Sequence, residues 1–263
     1  MPNIQSLMRG IAHQILHRTY NFALGKRVIN GISRWLDKRT ITVTVRTSEL
    51  VFLAGLGHST RRASGMEHKE PETLDWIDSF PENSVFWDVG ASTGIYAIYA
   101  AVSKQLDVVA IEPSPYNVPV IATNLKLNKV ERLVTLLPCA LNSKTKVCRF
   151  ALVSSEVGES QHQVLTTDVH PNWSRHVYQV PSFSIDFLVQ SCGLPSPQYI
   201  KIDVDGIEHL ILQGGLTTLK SVRGILVETP TDRLAQAQTC EQLANAGLVQ
   251  IEHSRSNTVW ARL

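Results

Sequence analysis

Apolar residues along the chain form short continuous runs that alternate with stretches of helical spacing. One run begins at Val85 and stops at Asp88, as a strand buried on both faces of a parallel sheet would. Gly90 and Gly94 follow, and apolar residues then recur three and four positions apart. The pattern predicts a strand, a tight glycine turn and a helix whose free N–H groups and positive dipole end lie over that turn.

The same pattern repeats along the rest of the chain. Further runs typical of strands lie at Asp107–Ile111, near Leu133–Leu137, and at Tyr199–Asp203, Gly224–Glu228, Leu248–His253 and Thr258–Leu263. Between them, helices are expected to begin at Ser114, as the N-cap before Pro115, and at Asp186 and Asp232. Strands that alternate with helices predict an α/β fold with a mostly parallel sheet, ended by an antiparallel hairpin.

The N-terminal part of the chain differs in character from the remainder. Residues 1–39 are basic and carry a partial apolar stripe at helical spacing. A strand pair follows at Ile41–Val45 and Leu50–Ala54. We expect the basic helix to pack on the protein as a cap, and peripheral contact with an anionic membrane surface is the alternative.

Two polar stretches interrupt the pattern. Residues 57–65 have loop composition and are expected to form a lid or a boundary. This divides the chain into an N-terminal segment, 1–65, and a main domain, 66–263. Residues 145–183 contain strand-like pieces at Val147–Leu152 and Gln179–Phe183, and they form either an insertion that faces the site or a solvated excursion.

Composition adds few constraints. The 263 residues are 43% hydrophobic, as in a folded chain, and a net charge of +2 argues against nucleic-acid binding as the main task. The four cysteines show no C-x-x-C spacing, so we expect reduced thiols in a cytoplasmic protein. The N-terminus lacks a continuous apolar signal core, and no stretch approaches the length of a membrane span.

The acid after the second strand indicates what binds at the glycine turn. Glu112 follows the turn by about twenty residues, where a carboxylate can accept hydrogen bonds from both hydroxyls of a ribose. The turn has the form D-x-G-x-x-x-G, without the third glycine of dinucleotide folds and with Asp88 where a pyrophosphate would be repelled. This favours S-adenosyl-L-methionine, which has a cationic amino group, over a nicotinamide dinucleotide. The two features resemble the first motifs of class I methyltransferases, and the alternative is an ordinary βα turn with a structural acid.

A second motif narrows this resemblance. Lys201–Glu208, K-I-D-V-D-G-I-E, resembles the K-I-D-V-E-G-x-E signature of the FkbM-type methyltransferases. Other matches, over roughly residues 67–230, are Asp88–Gly94, Glu112–Pro113, Asn124, Asn128, Ser184–Asp186 and Gly214. Ser92 and Asp205 depart from the family's usual residues. The resemblance implies a Rossmann-like class I methyltransferase with a seven-stranded sheet of order 3-2-1-4-5-7-6. It also implies S-adenosylmethionine-dependent O-methylation of a carbohydrate, glycolipid or polyketide-like hydroxyl.

Strand and turn positions define the candidate site within residues 66–263. We expect the cofactor to be bound by Asp88, Gly90, Ala91, Ser92, Gly94, Glu112, Pro113, Ala140 and Asp203. Lys201 and Asp203 lie on one side of a strand by period-2 geometry. Asp203 is the first candidate for the base that removes the acceptor's proton, Glu208 is the second, and Lys201 shapes the site. A purely structural ion pair of Lys201 with Asp203 is the alternative.

Two further alternatives stay open. Asp203, Asp205, Glu208 and Glu228 could converge on a divalent cation, but no His or Asn spacing supports a metal and none is predicted. The chain could also be a binding or scaffold protein that retains the fold without activity, against which the pairing of Gly90 with Glu112 argues. The expected partner is a small-molecule or glycan substrate, and the sequence assigns no oligomeric state.

Overall fold

The computed structural model describes residues 26–28, 30–31, 39–159, 162–166, 172–174, 176–254 and 256–263. Its strands are β1 (Thr40–Val45), β2 (Ser48–Leu53), β3 (Val85–Val89), β4 (Asp107–Ile111), β5 (Val134–Leu137), β6 (Ala140–Leu141), β7 (Lys146–Leu152), β8 (Gln163–Val164), β9 (His176–Phe183), β10 (Tyr199–Ile202), β11 (Gly224–Glu228), β12 (Val249–Ser254) and β13 (Asn257–Ala261). Its helices are α1 (Ser59–Lys69), α2 (Pro71–Asp78), α3 (Ile95–Lys104), α4 (Val118–Asn128), α5 (Ile185–Gln190), α6 (Glu208–Gln213) and α7 (Arg233–Asn245), with a short 3₁₀ helix at Thr218–Ser221.

A seven-stranded sheet forms the centre of the fold, in the order β5-β4-β3-β10-β11-β13-β12. Numbered along the chain within this sheet, the order is 3-2-1-4-5-7-6. The first five strands in space run parallel, and β13 is antiparallel to both β11 and β12. Because β3 lies between β4 and β10, the carboxyl ends of these three strands meet at one edge, and the glycine turn follows the middle one.

Helices cover both faces of this sheet, because successive residues of a buried strand point to opposite sides. Phe86 and Val108 face a core formed with α1, α2, α3, α4 and the β1–β2 hairpin. Trp87 and Val109 face a second core formed with α5, α6, α7 and the strands inserted between β5 and β10. The protein therefore has the layered α/β architecture of a Rossmann-like fold, as the alternation of strands and helices predicted.

The β1–β2 hairpin, close to the predicted strand pair, is attached to α4 by two asparagine side chains. Asn124 accepts from the Leu53 N–H at 2.8 Å. Asn128 accepts from the Val51 N–H at 2.9 Å and donates to the Val51 carbonyl at 2.6 Å. A primary amide can donate and accept at once, so these side chains satisfy backbone groups of β2 that no neighbouring strand pairs.

Residues between β5 and β10 form a second, smaller sheet in the order β6-β9-β7-β8. The strand-like pieces expected at Val147–Leu152 and Gln179–Phe183 are parts of β7 and β9, which pair antiparallel. Side chains of this sheet belong to the second hydrophobic core. The described part of the stretch is therefore an ordered insertion and not a solvated excursion.

Two local predictions near the start of the main domain are wrong. The segment 57–65, expected to be a loop, is mostly part of α1, which buries Ala63 and Met66 in the same core as the hairpin. Helix α4 begins at Val118 and not near Ser114. The reason is that the Ser114 N–H donates to the Glu112 carboxylate at 2.8 Å, so the chain makes a turn before the helix starts.

A third prediction, of the N-cap of α5, is also wrong. Ser184 caps α5 by accepting from the Phe187 N–H. Asp186 instead accepts from the N–H groups of Thr217 and Thr218, at 3.0 and 2.8 Å. The Asp232 cap of α7 is confirmed, since its side chain accepts from the Ala235 N–H.

The basic helix expected at 1–39 lies almost entirely outside the described residues, of which 26–28 and 30–31 are helical. The boundary expected between residues 65 and 66 falls inside α1. Within the described ranges, every helix is too short or too polar to cross a lipid bilayer.

Candidate active site

A cleft of about 680 Å³ opens at the carboxyl edge of β3, β4 and β10. Ligands bind at this edge in open α/β sheets. Six of the predicted cofactor-binding residues line the cleft, namely Gly90, Ser92, Glu112, Pro113, Ala140 and Asp203. The other three, Asp88, Ala91 and Gly94, are buried and do not contribute to its walls.

The first glycine of the turn is packed against the end of the neighbouring strand. Gly90 has φ +84°, and a Cβ built on it would lie 2.0 Å from the carbonyl oxygen of Asp203. Its N–H donates to the Ile111 carbonyl at 2.9 Å. Gly90 therefore holds the ends of β4 and β10 close together, one on each side of the turn.

Glu112 follows β4 and is buried beside this turn. Its Oε2 accepts from the Ser92 N–H at 2.7 Å, and its Oε1 accepts from the Ser114 N–H at 2.8 Å and from the Asn117 amide at 3.4 Å. Burial raises the pKa of Glu112 to about 7, against the lowering effect of these donors. A carboxylate held in this way keeps lone pairs free for the hydroxyl groups of a ligand.

Asp88 lies beneath the turn and not in the cleft. Its Oδ2 accepts from the Ala97 N–H of α3 at 3.1 Å, and its Oδ1 is buried with no hydrogen-bond partner among the described residues. Burial raises the pKa of Asp88 to about 6. The carboxyl group fixes the first turn of α3 to the sheet, where a negative charge also interacts favourably with the helix dipole.

Lys201 and Asp203 form an ion pair at the end of β10. Lys201 is only 2% exposed, and its Nζ donates to Asp203 Oδ2 at 2.6 Å. The Asp203 side chain is 34% exposed and lines the cleft. Burial disfavours both charges, but their attraction outweighs it, so the pKa of Lys201 is raised and the pKa of Asp203 is lowered. Both groups are therefore ionised at neutral pH.

Other polar groups surround the buried ammonium group of Lys201. Its Nζ lies 5.0 Å from the ring centroid of Tyr96, on α3. The carboxylates of Glu70 and Asp88 add to the attraction that raises the pKa of Lys201. Glu70 is itself paired with Lys69 at 2.8 Å. The network connects the end of β10 to α3 and to the start of α2.

Two other acids lie near Asp203 in different environments. Glu228 ends β11, and the parallel register of β10 with β11 places it beside Asp203. Burial, the charge of Asp203 and a hydrogen bond with Asp203 raise the pKa of Glu228 to about 8. Glu208 is nearly fully buried, accepts from the Gly206 N–H at 2.9 Å and is not part of the cleft wall. It stabilises the turn that follows β10.

Part of the cleft is formed by residues that the sequence analysis did not identify. These come from the insertion and from α1, and they include Phe150, Glu159, His162, Val164 and Arg62. Gly158 connects the insertion to α1, since its carbonyl accepts from Arg62. Its N–H donates to the Asn117 side chain, just before α4, at 2.9 Å. The apolar alternation of β7 is a signal for a half-buried strand, but it does not reveal which element that strand covers.

Among the described residues, the side chains close enough together to hold a metal ion do not include Asp203, Asp205, Glu208 or Glu228. They are His58, Glu156 and Glu159, whose ligand atoms lie within 4.8 Å of one another. The Arg61 guanidinium lies 3.1 Å from His58 Nδ1. A positive charge so close opposes a metal ion on the same ring, so we assign no metal to this cluster.

Comparison with known proteins assigns the chain to a family. Residues 88–257 match the family model of the methyltransferase FkbM domain. The chain belongs to the FkbM methyltransferase family. Of the described residues that line the cleft, all but Arg62 lie in the matched region. The FkbM domain thus includes the glycine turn, Glu112, the insertion and the ends of β10 and β11.

Individual relatives of this FkbM chain are distant. The hexuronic acid methyltransferase AglP of Haloferax volcanii is 27% identical over 154 residues, which are 58% of this chain and 58% of that protein. A precorrin-6y methyltransferase structure from Geobacter metallireducens aligns with a TM-score of 0.43 at 16% identity, over 74% of this chain and 87% of that one. The tRNA methyltransferase TrmK of B. subtilis aligns with a TM-score of 0.44 at 10% identity, over 72% and 64%.

Proposed function

We propose that this chain transfers a methyl group from S-adenosylmethionine to a hydroxyl group of a carbohydrate. The observation that carries the proposal is the cleft, because it joins Glu112 to Asp203 across Gly90. One ligand bound there meets an acceptor for ribose hydroxyls and an anion for a cationic group. Membership of the FkbM family supports the methyl-transfer chemistry.

The residues of the cleft suit the three parts of this cofactor. Cys139, Leu141 and Val164 provide an apolar surface for a purine ring. Glu112 provides a hydrogen-bond acceptor for the ribose hydroxyls. Asp203 and Asp205 provide negative charge for the amino and sulfonium groups. When bound, S-adenosylmethionine supplies a methyl group on a positively charged sulfur.

Asp203 is better suited to orient the acceptor than to remove its proton. Lys201 lowers the pKa of Asp203, and a carboxylate of low proton affinity is a weak base. Glu228, with its pKa raised to about 8, is better matched to proton transfer near neutral pH. We therefore assign orientation of the hydroxyl to Asp203, which Lys201 fixes in place, and proton acceptance to ionised Glu228, which is hydrogen-bonded to Asp203 but lies outside the cleft wall. Glu208 supports the turn behind them.

A carbohydrate is the best-supported class of acceptor. The curated relative AglP is named as a hexuronic acid methyltransferase, and this chain spans 58% of its length. Hexuronic acids are therefore the first acceptors to test, followed by glycolipids and polyketide-like hydroxyls. A sugar hydroxyl must lose its proton as it is methylated, which is the task assigned to Glu228.

Incubation of the full chain with methyl-labelled S-adenosylmethionine and a set of sugars tests the proposal. We expect label and the mass of one methyl group on a hexuronic-acid-containing glycan. Asp203→Asn should weaken binding of the product S-adenosylhomocysteine by no more than about tenfold, because Asp205 still supplies a negative charge for the amino group, and should lower turnover at least roughly a hundredfold. Asp107→Asn, at an exposed acid, is the control and should change neither. Failure of the wild type to bind S-adenosylhomocysteine in calorimetry would overturn the proposal.

A further inference from the structure

The insertion turns one of its faces toward the cleft. In the antiparallel pairing of β7 with β8, Phe150 lies opposite Val164. Because side chains alternate along an extended chain, His162, two residues before Val164, lies on that same face. All three line the cleft, and the rings of His162 and Phe150 meet edge-on with 6.0 Å between centroids. His162 is therefore part of the cleft wall.

One ring nitrogen of His162 is hydrogen-bonded, and the other has no partner within the part of the chain that the structure describes. Its Nδ1 accepts from the Val153 N–H at 3.3 Å, which assigns the hydrogen of the neutral ring to Nε2. Nε2 is shielded from solvent and has no hydrogen-bond partner among the described residues. Burial lowers the pKa of His162, with Glu159 opposing this effect and Arg62 adding to it, so the neutral ring is favoured. A buried donor without a partner is unfavourable, and a ligand atom that accepts from it would stabilise the complex.

The cleft has an acidic end and an apolar end, with Glu112 between them. The end near β10 contains Asp203 and Asp205. The end near β5 is formed by Cys139, Ala140, Leu141, Phe150 and Val164. A cofactor that joins a purine through a ribose to a cationic amino acid would therefore place its purine at the apolar end. His162 stands at that end beside Phe150, with Arg62 and Glu159 of the same wall close enough to affect its charge. Its Nε2 hydrogen has no acceptor among the described residues, and the ring nitrogens of adenine are acceptors.

We propose that His162 recognises the adenine ring of the cofactor by donating its Nε2 hydrogen to a ring nitrogen. The inference rests on the proposed function, because adenine is present only if the cofactor is S-adenosylmethionine. It gives the insertion a role in cofactor binding and explains why a histidine is buried in the cleft wall with one nitrogen unpaired.

Two substitutions separate the roles of the two nitrogens. In His162→Gln the side-chain amide nitrogen can take the position of Nε2, whereas in His162→Asn the side-chain amide reaches only the position of Nδ1. Calorimetry with S-adenosylhomocysteine should show about tenfold weaker binding for His162→Asn and a loss of at most about threefold for His162→Gln. If His162 serves only to hold the Val153 N–H, this order is reversed and the proposal is overturned.

Analogues of the ligand test the same bond in the unmodified protein. The 1-, 3- and 7-deaza forms of S-adenosylhomocysteine each lack one ring nitrogen of adenine. The form that lacks the nitrogen bonded to His162 should bind the wild type about tenfold more weakly than S-adenosylhomocysteine does, and its affinity should not fall further in His162→Asn. His176→Asn, at an exposed histidine of the same small sheet, is the matched control and should bind normally. Equal affinity of the wild type for all three analogues would overturn the proposal alone. Failure of the wild type to bind S-adenosylhomocysteine would overturn the proposed function with it.

Discussion

Glu112 and Asp203 lie on opposite sides of Gly90 and are held in opposite ways. Each follows a direct neighbour of the central strand, Glu112 after β4 and Asp203 after β10. Glu112 is bonded by uncharged donors, the N–H groups of Ser92 and Ser114, and burial raises its pKa to about 7. Asp203 is bonded by the ammonium group of Lys201 at 2.6 Å, which lowers its pKa in spite of burial.

The difference shows that position at the sheet edge does not decide what a carboxyl group can do. Neutral backbone dipoles offset only part of the cost of burying a carboxylate, whereas a full positive charge in contact outweighs that cost. The acid with neutral donors therefore changes protonation near neutral pH, and the acid with a lysine stays ionised. Ligand binding can therefore respond to the protonation of Glu112 near neutral pH, whereas the carboxylate of Asp203 keeps its charge.

Gly90→Val should displace both Glu112 and Asp203 from their positions beside the turn, and it has the largest expected effect. The new Cβ would lie 2.0 Å from the Asp203 carbonyl oxygen, and valine strongly disfavours φ +84°. We expect binding of S-adenosylhomocysteine to weaken at least about a hundredfold and the free energy of unfolding to fall by about 4 kcal/mol or more. Calorimetry and urea unfolding measure the two effects.

The control for this substitution is Gly65→Ala. Gly65 lies in α1, and among the described residues no atom apart from its chain neighbours and the backbone of its own helix lies within 4 Å of the position its Cβ would take. Alanine has the higher helix propensity, so the variant should bind normally and gain up to about 1 kcal/mol of stability. Normal binding by Gly90→Val would show that the turn does not hold the two strand ends in the geometry that the ligand requires.

Lys201→Met should leave the Asp203 carboxyl group, like that of Glu112, without a positively charged partner. Without the ammonium group, the pKa of Asp203 should rise, because burial would act without an opposing charge. Breaking a fully buried pair costs about 3–5 kcal/mol, and the loss should be smaller here because the Asp203 side chain is 34% exposed; urea unfolding at neutral pH would measure it. A lowered folded-state pKa contributes stability above the unfolded value of about 3.9, and this is lost as the pH falls through the folded value. The difference from the wild type should therefore shrink below about pH 4.

A second substitution tests whether the unpaired charge is the cause. Adding Asp203→Asn to Lys201→Met removes that charge and should recover part of the lost stability. Lys144→Met, at an exposed lysine, should stay within about 0.5 kcal/mol of the wild type. If Lys201→Met were as stable as the wild type, the ion pair would not distinguish the two sides of the turn.

Strands of the central sheet at the cleft could be predicted from the sequence because glycines or acids bound their apolar runs. β4 and β11 have the bounds that the pattern indicated. The two-residue spacing of Lys201 and Asp203 also indicated their contact, since such residues share one side of a strand. The donors to Glu112 could not be predicted, because they are backbone groups whose directions depend on the packing of the turn.

The insertion and α1 were harder to predict for a different reason. The polar composition of residues 57–65 conceals the few side chains that α1 buries, such as Ala63, and a short apolar face gives little periodic signal. His162 lies in a polar stretch, and its burial arises from pairing with β7 and from contact with Phe150. Long-range packing, and not local sequence, places these residues at the cleft.

A pH titration of ligand binding should give the smallest of the expected effects. Only ionised Glu112 can accept from both ribose hydroxyls, since a protonated carboxyl is itself a donor. With the pKa of Glu112 at about 7 in the free protein, affinity for S-adenosylhomocysteine should fall about tenfold between pH 8 and pH 6, as calorimetry would show. Glu112→Gln should bind more weakly and without this slope.

Stability of the free protein should respond to pH in the opposite direction. The pKa of Glu112 is raised from 4.5 to about 7 on folding, so its stabilising contribution is full below about pH 4.5 and is lost as the pH rises through about 7. Asp88, with its pKa raised to about 6, contributes to stability in the same sense but lies outside the cleft, so it should change stability without changing binding. A binding slope that survived in Glu112→Gln would belong to another group, such as Glu228. The pH dependence of binding would then arise beside Asp203 and not at Glu112. The proposed difference between the two carboxyl groups, one that titrates near neutral pH and one that stays ionised, would then not explain binding.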